Sequence, residues 1–182
     1  ARDGQALNSE NVVRSVVSRI NLASGIEDIG ARWDIDNSDS PKAIAFSPLG
    51  NVVFVSLQGS NAVAILDAYN RGEIGRFDVG AAPDTLSLDP ASGILYVHSF
   101  LDRKVSAFDI RDVAALRTDQ PTMLMERVVV GQERLASEVL LGKKVFYNAV
   151  DPRMGSEGYI SCATCHLDGD SDGRVWDFTD RG

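Results

Sequence analysis

Hydrophobic and polar residues alternate with a short period through the middle of the chain. Residues 41–67, PKAIAFSPLGNVVFVSLQGSNAVAILD, contain three apolar runs separated by turn residues, and residues 83–109, PDTLSLDPASGILYVHSFLDRKVSAFD, repeat that layout. The runs are rich in β-branched residues and are bounded by Pro, Gly, Ser and Asp, which is typical of strands. The two copies are offset by about 42 residues and predict the same group of strands twice.

Two further segments extend the repeat in both directions. In IEDIGARWDI, Ile29, Ala31, Trp33 and Ile35 alternate with other residues and predict the last strand of a preceding unit. Residues 10–22 carry a helix-like stripe of valines, but their density of β-branched residues favours a strand. After the second repeat, RDVAALRTDQPTMLMERVVVG inserts several residues before its last strand.

A four-stranded unit of about 40 to 45 residues has the size of one β-propeller blade. The segments VFVSLQGSNAVAILDA and LYVHSFLDRKVSAFDI resemble the YVTN-type propeller repeat in their strand, polar turn and strand-ending Asp, and the resemblance covers residues 29–130. The fold class predicted is mainly β, with a partial propeller of about two and a half blades, whereas closed propellers have about four to eight. We therefore expect a piece of a larger polypeptide; the alternative is that other copies or partners cover its open edges.

The period changes after residue 131. In ERLASEVLLGKKVFYNA, apolar residues recur at helical spacing among good helix formers, which predicts an amphipathic helix that is interrupted or hinged near Gly142. A loop rich in Pro, Gly and Ser, VDPRMGSEGY, follows it. The sequence therefore predicts two domains, a partial propeller over residues 1–131 and a short α-helical segment over residues 132–182.

Composition excludes some partners. The 182 residues include 26 acidic and 18 basic side chains, and a net charge of −8 repels nucleic acid and anionic membrane surfaces. No apolar run approaches the roughly 20 residues that cross a bilayer, so no membrane span is predicted in this chain. The first residues lack the layout of a signal peptide, and export has to be inferred from other features.

Both cysteines and one of the two histidines lie within ISCATCHL, as Cys162, Cys165 and His166. The pattern C-x-x-C-H is typical of covalent haem c attachment. One helical turn brings both sulfurs to the same face, where they can reach the two vinyl groups of a porphyrin, and the histidine can ligate the iron. Haem c is attached outside the cytoplasm, so the predicted location is periplasmic or extracellular.

Other uses of two cysteines were weighed against haem. A redox dithiol of the thioredoxin type would follow a βαβ strand, which is not predicted here. Structural zinc would need a fourth ligand, and only the distant His98 is available. A disulfide between Cys162 and Cys165 would close almost no loop and stabilise little. As a sixth iron ligand we considered His98, Met123, Met125 and Met154, each of which is more simply explained by ordinary packing.

The wider segment LGKKVFYNAVDPRMGSEGYISCATCHLDG resembles the start of the first haem domain in the di-haem cytochrome c peroxidase/MauG-like family. Asn148 replaces an acidic residue of that pattern, and Gly155 replaces a serine. The resemblance implies a peroxide- or substrate-linked redox role on a two-haem domain, whose second haem motif, distal ligand and active-site acid are not in this chain. The matching residues are Leu141, Gly142, Phe146, Arg153, Met154, Ile160, Ser161, Cys162, Cys165 and His166.

The function predicted from these features is that of an exported c-type haem redox protein. It would transfer electrons to a redox partner or to the remainder of a larger polypeptide, and the complete polypeptide would carry peroxidase-like chemistry. The alternative is a recognition or cell-surface propeller whose haem only relays electrons, or which lacks haem in this fragment. A propeller by itself does not decide between them, because the fold serves many functions.

A second candidate metal site follows the cysteines. In DGDSDG, Asp168, Asp170 and Asp172 alternate and Gly173 stands at the sixth position, as in the first half of an EF-hand calcium loop. Thr179 occupies the twelfth position, where such a loop needs an acid. Calcium is therefore one interpretation of this segment, and a solvated acidic turn is the favoured one.

Overall fold

The structure is a computed structural model, and it describes residues 14–154 and 158–173. Its strands form two four-stranded antiparallel sheets and two short two-stranded pairs. The chain thus folds as the mainly β structure that its alternating sequence predicts, with the two repeats as the two large sheets. The described part contains no helix that is long and apolar enough to cross a membrane.

The chain first forms short elements that precede the repeats. They include four strands, in which the first pairs antiparallel with the fourth and the second with the third. Residues 29–31 form a 3-10 turn, so the predicted single strand over Ile29 to Ile35 is shortened to its last three residues. The turn forms because the Ala31 N–H donates to the Asp28 carbonyl at 2.9 Å. The elements are β1 Ser15–Val17, β2 Ile20–Asn21, β3 Ile26–Glu27 and β4 Trp33–Ile35.

The two repeats are consecutive four-stranded meanders, here called blade 1 and blade 2. Each strand pairs with the next along the chain, so the sheets have the orders β5-β6-β7-β8 and β9-β10-β11-β12. Blade 1 consists of β5 Pro41–Phe46, β6 Val52–Leu57, β7 Ala62–Asp67 and β8 Glu73–Asp78. Blade 2 consists of β9 Pro83–Asp89, β10 Ile94–Ser99, β11 Lys104–Asp109 and β12 Thr122–Val128. A short helix, α1 Arg111–Ala114, lies in the predicted insertion before β12.

Equivalent glycines form the turn between the first two strands of each blade. Gly50 and Gly93 both have a φ of +69°, a conformation that costs a residue with a side chain more than it costs glycine. At Gly93 a Cβ would also lie 2.5 Å from Cγ of Arg111. The repeated turn chemistry therefore reflects one repeated backbone geometry.

Blade 1 is packed on both faces. One face of β6, including Val52 and Phe54, packs with Leu95, Val97 and Phe108 of blade 2. Its other face, with residues 53, 55 and 57, packs beneath the β1–β4 pair. Because β6 is buried along its whole length, its side chains are apolar at successive positions except for Ser56, whose Oγ accepts the N–H of Ala43 at 2.9 Å.

The remaining elements follow blade 2. A helix, α2 Ser137–Phe146, continues through Gly142 without interruption, so the hinge predicted there is wrong. All of its side chains are exposed or half-buried. One helical turn, α3 Cys162–Cys165, and a 3-10 turn at Leu167–Gly169 end the described chain. The β12 strand is exposed throughout. Met123 and Met125, which lie on it, are therefore exposed, and the expectation that they pack in the core is wrong.

Candidate functional site

The two cysteines lie on α3, a single turn whose start is fixed by hydrogen bonds. The Ser161 N–H donates to Oγ1 of Thr164 at 2.9 Å, and the Thr164 N–H donates back to the Ser161 carbonyl at 3.2 Å. At the other end, the His166 N–H donates to the Cys162 carbonyl at 3.0 Å. These hydrogen bonds give partners to backbone groups that have none within a helix end, and they stabilise a helical turn of only four residues.

The sulfur atoms of Cys162 and Cys165 belong to free, half-buried thiols on this turn. Burial raises the pKa of Cys165, and the negative charges of Asp172 and Asp39 raise it further. A redox dithiol needs a cysteine with a lowered pKa, because the thiolate is the attacking species. The surroundings of Cys165 act in the opposite direction and disfavour that alternative.

His166 is exposed directly after the turn, and one of its ring nitrogens has a partner. Its Nδ1 lies 3.0 Å from the backbone carbonyl oxygen of Asp170. A carbonyl can only accept, so this geometry assigns the ring proton to Nδ1 and leaves the lone pair on Nε2. Histidines that ligate metals use this arrangement, in which a backbone carbonyl fixes the tautomer and the ring orientation.

These residues fit a covalently held haem. Two thiols that form no disulfide lie on one turn, and an exposed imidazole with the lone pair on Nε2 follows them at once. Exposed apolar side chains in the same part of the chain, at Leu141, Met154 and Leu167, are of the kind that packs against a large apolar ring. The helical segment therefore offers both attachment chemistry and apolar surface.

Asp168, Asp170 and Asp172 are the described residues of the predicted calcium loop. Among residues 14–154 and 158–173, no three side chains of His, Cys, Asp or Glu are placed to hold a metal ion together. Asp168 has a φ of +53° within the 3-10 turn. The twelfth position of the proposed calcium loop, residue 179, lies outside the described residues, and calcium stays a prediction.

The other predicted ligands have different surroundings. His98 lies on β10, where its Nδ1 is 2.7 Å from Oδ1 of Asp84. Met154 is exposed in a turn, and Met123 and Met125 are exposed on β12. Each histidine of the chain is therefore held by a different partner, His98 by a carboxylate and His166 by a backbone carbonyl.

The helical segment packs against the loops at one end of the blades. The Ala149 N–H donates to the Gly59 carbonyl at 2.8 Å, and Lys144 Nζ lies 2.6 Å from Oδ1 of Asp102. The rings of Tyr147 and Phe100 meet edge to face with centroids 5.3 Å apart. The spacing of residues in the sequence carries no signal for these contacts, since they join segments far apart in the chain.

One contact reaches the cysteine turn itself. Thr164 Oγ1 donates to Oδ1 of Asp39 at 2.8 Å, across 125 positions of sequence. Sequence analysis did not single out Asp39, which lies between two serines in a segment typical of turns. Only its burial in the folded chain, where it is 1% exposed, distinguishes it from an ordinary turn residue.

Comparison with known proteins supports the fold. No protein-family profile matches the chain, and neither does any curated protein. A putative 6-phosphogluconolactonase from Bacteroides fragilis is 23% identical with a TM-score of 0.52, and the match covers 64% of this chain and 34% of that one. The β-propeller domain of Cps50 (Swd1) from Myceliophteria thermophila is 17% identical with a TM-score of 0.50, with coverages of 60% and 37%.

Hydrazine synthase from Kuenenia stuttgartiensis also matches, at 26% identity and a TM-score of 0.42, over 50% of this chain and 24% of that one. A TM-score this low carries no argument about fold or function. The matches cover 24% to 37% of the length of these three solved structures. The two matches with TM-scores of 0.50 and 0.52 support the architecture alone, in which the strands of this chain form part of a β-propeller.

Proposed function

We propose that the protein is an exported c-type haem redox protein, in which a YVTN-type propeller over residues 1–131 carries a cytochrome c segment over residues 132–182. Cys162 and Cys165 would hold the porphyrin, and His166 would ligate the iron through Nε2. The bound haem supplies one-electron redox chemistry, whose potential the protein tunes through ligands, charge and burial. In the complete polypeptide, the resemblance to di-haem peroxidases implies peroxide reduction or oxidation of a bound substrate.

One observation carries this proposal. The Nδ1 of His166 is 3.0 Å from the Asp170 carbonyl, which leaves the lone pair on Nε2, in the residue that directly follows the second of two free cysteines. An imidazole held in this way is oriented before any metal arrives, so less conformational entropy is lost on ligation. The backbone of Asp170, rather than its carboxylate, would therefore be the group that orients the iron ligand.

A second candidate function is favoured by the architecture. Part of a β-propeller forms most of the described chain, and β12 leaves an exposed apolar edge that includes Met123, Leu124 and Val128. Propellers are widely used as recognition surfaces, and exposed strand edges can pair with other chains. In this candidate, the propeller recognises a partner and the haem relays electrons without turnover of its own.

The haem assignment is tested by producing the protein in a host that matures c-type cytochromes. We expect a visible cytochrome spectrum and an intact mass that is higher by one haem. Substituting Cys162 and Cys165 together by serine should abolish covalent attachment. Colourless wild-type protein with two free thiols, or with zinc bound to them, would refute the proposal.

The two histidines provide a matched pair of variants. His166→Ala should change the axial-ligand signature in the spectrum, whereas His98→Ala should leave it as in the wild type, because His98 is already paired with Asp84. Peroxide turnover by the complete polypeptide would then distinguish the two candidate functions. Turnover supports the enzyme, and electron transfer without turnover supports the relay.

A further inference from the structure

Asp39 is a buried acidic residue beside the cysteine turn. It lies between β4 and β5 and is only 1% exposed, which is rare for an aspartate. Its Oδ1 accepts hydrogen bonds from the hydroxyls of Ser40 and Thr164, both at 2.8 Å. Its backbone N–H donates to Oγ of Ser60 at 2.9 Å. Two hydrogen bonds therefore hold its side chain, and a third holds its backbone.

Thr164 connects this carboxylate to the attachment motif. It is the second of the two residues between Cys162 and Cys165, and its single hydroxyl hydrogen is used in the bond to Asp39. The same oxygen accepts the N–H of Ser161, which begins the turn. One hydroxyl thus links the start of the cysteine turn to the propeller.

The carboxylate has little room to move. A Cβ at Gly59 would lie 2.0 Å from Oδ2 of Asp39, so a glycine is needed where the two segments meet. The carbonyl of Gly59 also accepts the N–H of Ala149, so a second point of the helical segment is fixed to the same propeller loop. The position of the cysteine turn relative to blade 1 is therefore set by a small group of close contacts.

The second carboxylate oxygen is incompletely satisfied. Oδ2 of Asp39 is buried and accepts no hydrogen bond from any residue that the structure describes. Burying such a group costs free energy, and an exception of this kind in a folded protein calls for a reason. The other oxygen of the same carboxylate accepts the hydroxyl of Thr164 at 2.8 Å, so the carboxylate lies directly against the cysteine turn.

We propose that Asp39 is a positioning residue of the haem site, which holds the cysteine turn on the propeller through Thr164 and lowers the reduction potential of the haem attached there. This inference rests on the proposed function. A negative charge favours the oxidised, more positive iron, and a buried charge is screened less by solvent than an exposed one. The propeller would thereby tune the redox centre that it carries.

The potential provides the first test. In the haem-loaded chain, Asp39→Asn should shift the reduction potential to a more positive value. The matched control is Asp36→Asn, three positions earlier in the chain. It removes the same charge, but from a side chain that is 79% exposed and paired with Arg14. A shift in Asp39→Asn that is no larger than the shift in Asp36→Asn would overturn the proposal.

Hydrogen exchange provides a second test that does not need the haem. The His166 amide, which donates to the Cys162 carbonyl, should exchange about tenfold faster in Thr164→Val, since a hydrogen bond to a charged group is lost. Thr164→Ser keeps the hydroxyl and should restore the wild-type rate. Equal rates in all three proteins would overturn the positioning role. Protein that never acquires haem but shows the exchange effect would refute the proposed function alone.

Discussion

Replacing Gly59 with alanine tests how tightly the propeller loop and Asp39 fit together. The added Cβ would lie 2.0 Å from Oδ2, 2.6 Å from Cγ and 2.8 Å from Cβ of Asp39, and these are its three nearest atoms. All of these distances are well below ordinary van der Waals contact. Because Asp39 is 1% exposed, its side chain has no open route to solvent.

The cost follows from what has to move. Overpacking a filled site destabilises a protein by about 1–3 kcal/mol. Displacing the carboxylate also weakens the hydrogen bonds from Ser40 and Thr164, and a hydrogen bond to a charged group contributes about 1.5–3 kcal/mol. Partial relaxation will recover some of this, so we expect Gly59→Ala to lower the free energy of unfolding by about 2–4 kcal/mol.

Urea unfolding followed by circular dichroism measures this cost, with Gly72→Ala as the control. A Cβ at Gly72 meets nothing within 4 Å, so that variant should be unchanged or more stable by up to about 1 kcal/mol. A double-mutant cycle then identifies the partner. If Gly59→Ala destabilises an Asp39→Ala protein as much as it destabilises the wild type, the clash is not with Asp39 and the reasoning is refuted.

Three further predictions concern the core, an ion pair and the cysteines. Phe54→Ala should lower the free energy of unfolding by about 3–5 kcal/mol in the same urea assay, because Phe54 is 0% exposed between the blades. The control Ile44→Ala, at a side chain that is 46% exposed, should lower it much less. Similar losses in the two variants would contradict the described core. The side-chain hydrogen bonds from Arg111 lower the pKa of Asp109 from 3.8 to about 2, so its contribution to stability is complete above pH 3.8 and is lost as the pH falls toward about 2. Between pH 3.8 and about 2, the urea concentration at the unfolding midpoint should therefore fall less in Asp109→Asn than in the wild type. An equal fall in both proteins would count against the pairing of Asp109 with Arg111. In haem-free protein that lacks the other cysteine, half-maximal alkylation of Cys165 should require a pH above 9.0, because burial raises its pKa; reaction near neutral pH would instead support a redox dithiol.

The cysteine site shows how far local sequence information reaches. The spacing of Cys162, Cys165 and His166 is enough to predict haem attachment because all three lie within about one helical turn of one another. The orientation of the imidazole depends on a carbonyl four residues away, which no pattern of side chains can specify. Asp39 depends on a contact across 125 positions, and the sequence around it resembles any polar turn.

The sequence by itself determined the strands, their repetition and the C-x-x-C-H motif. Alternation, turn residues and glycine positions such as Gly50 and Gly93 act between near neighbours, so they can be read in order along the chain. The tertiary structure decided which faces are buried. It buried β6 on both faces, left α2 without a buried residue, and converted part of the predicted strand before β4 into a 3-10 turn. Which side chains are buried depends on which distant segments pack together. The free energy of that packing overrides local preferences, and it cannot be predicted from near neighbours in the sequence.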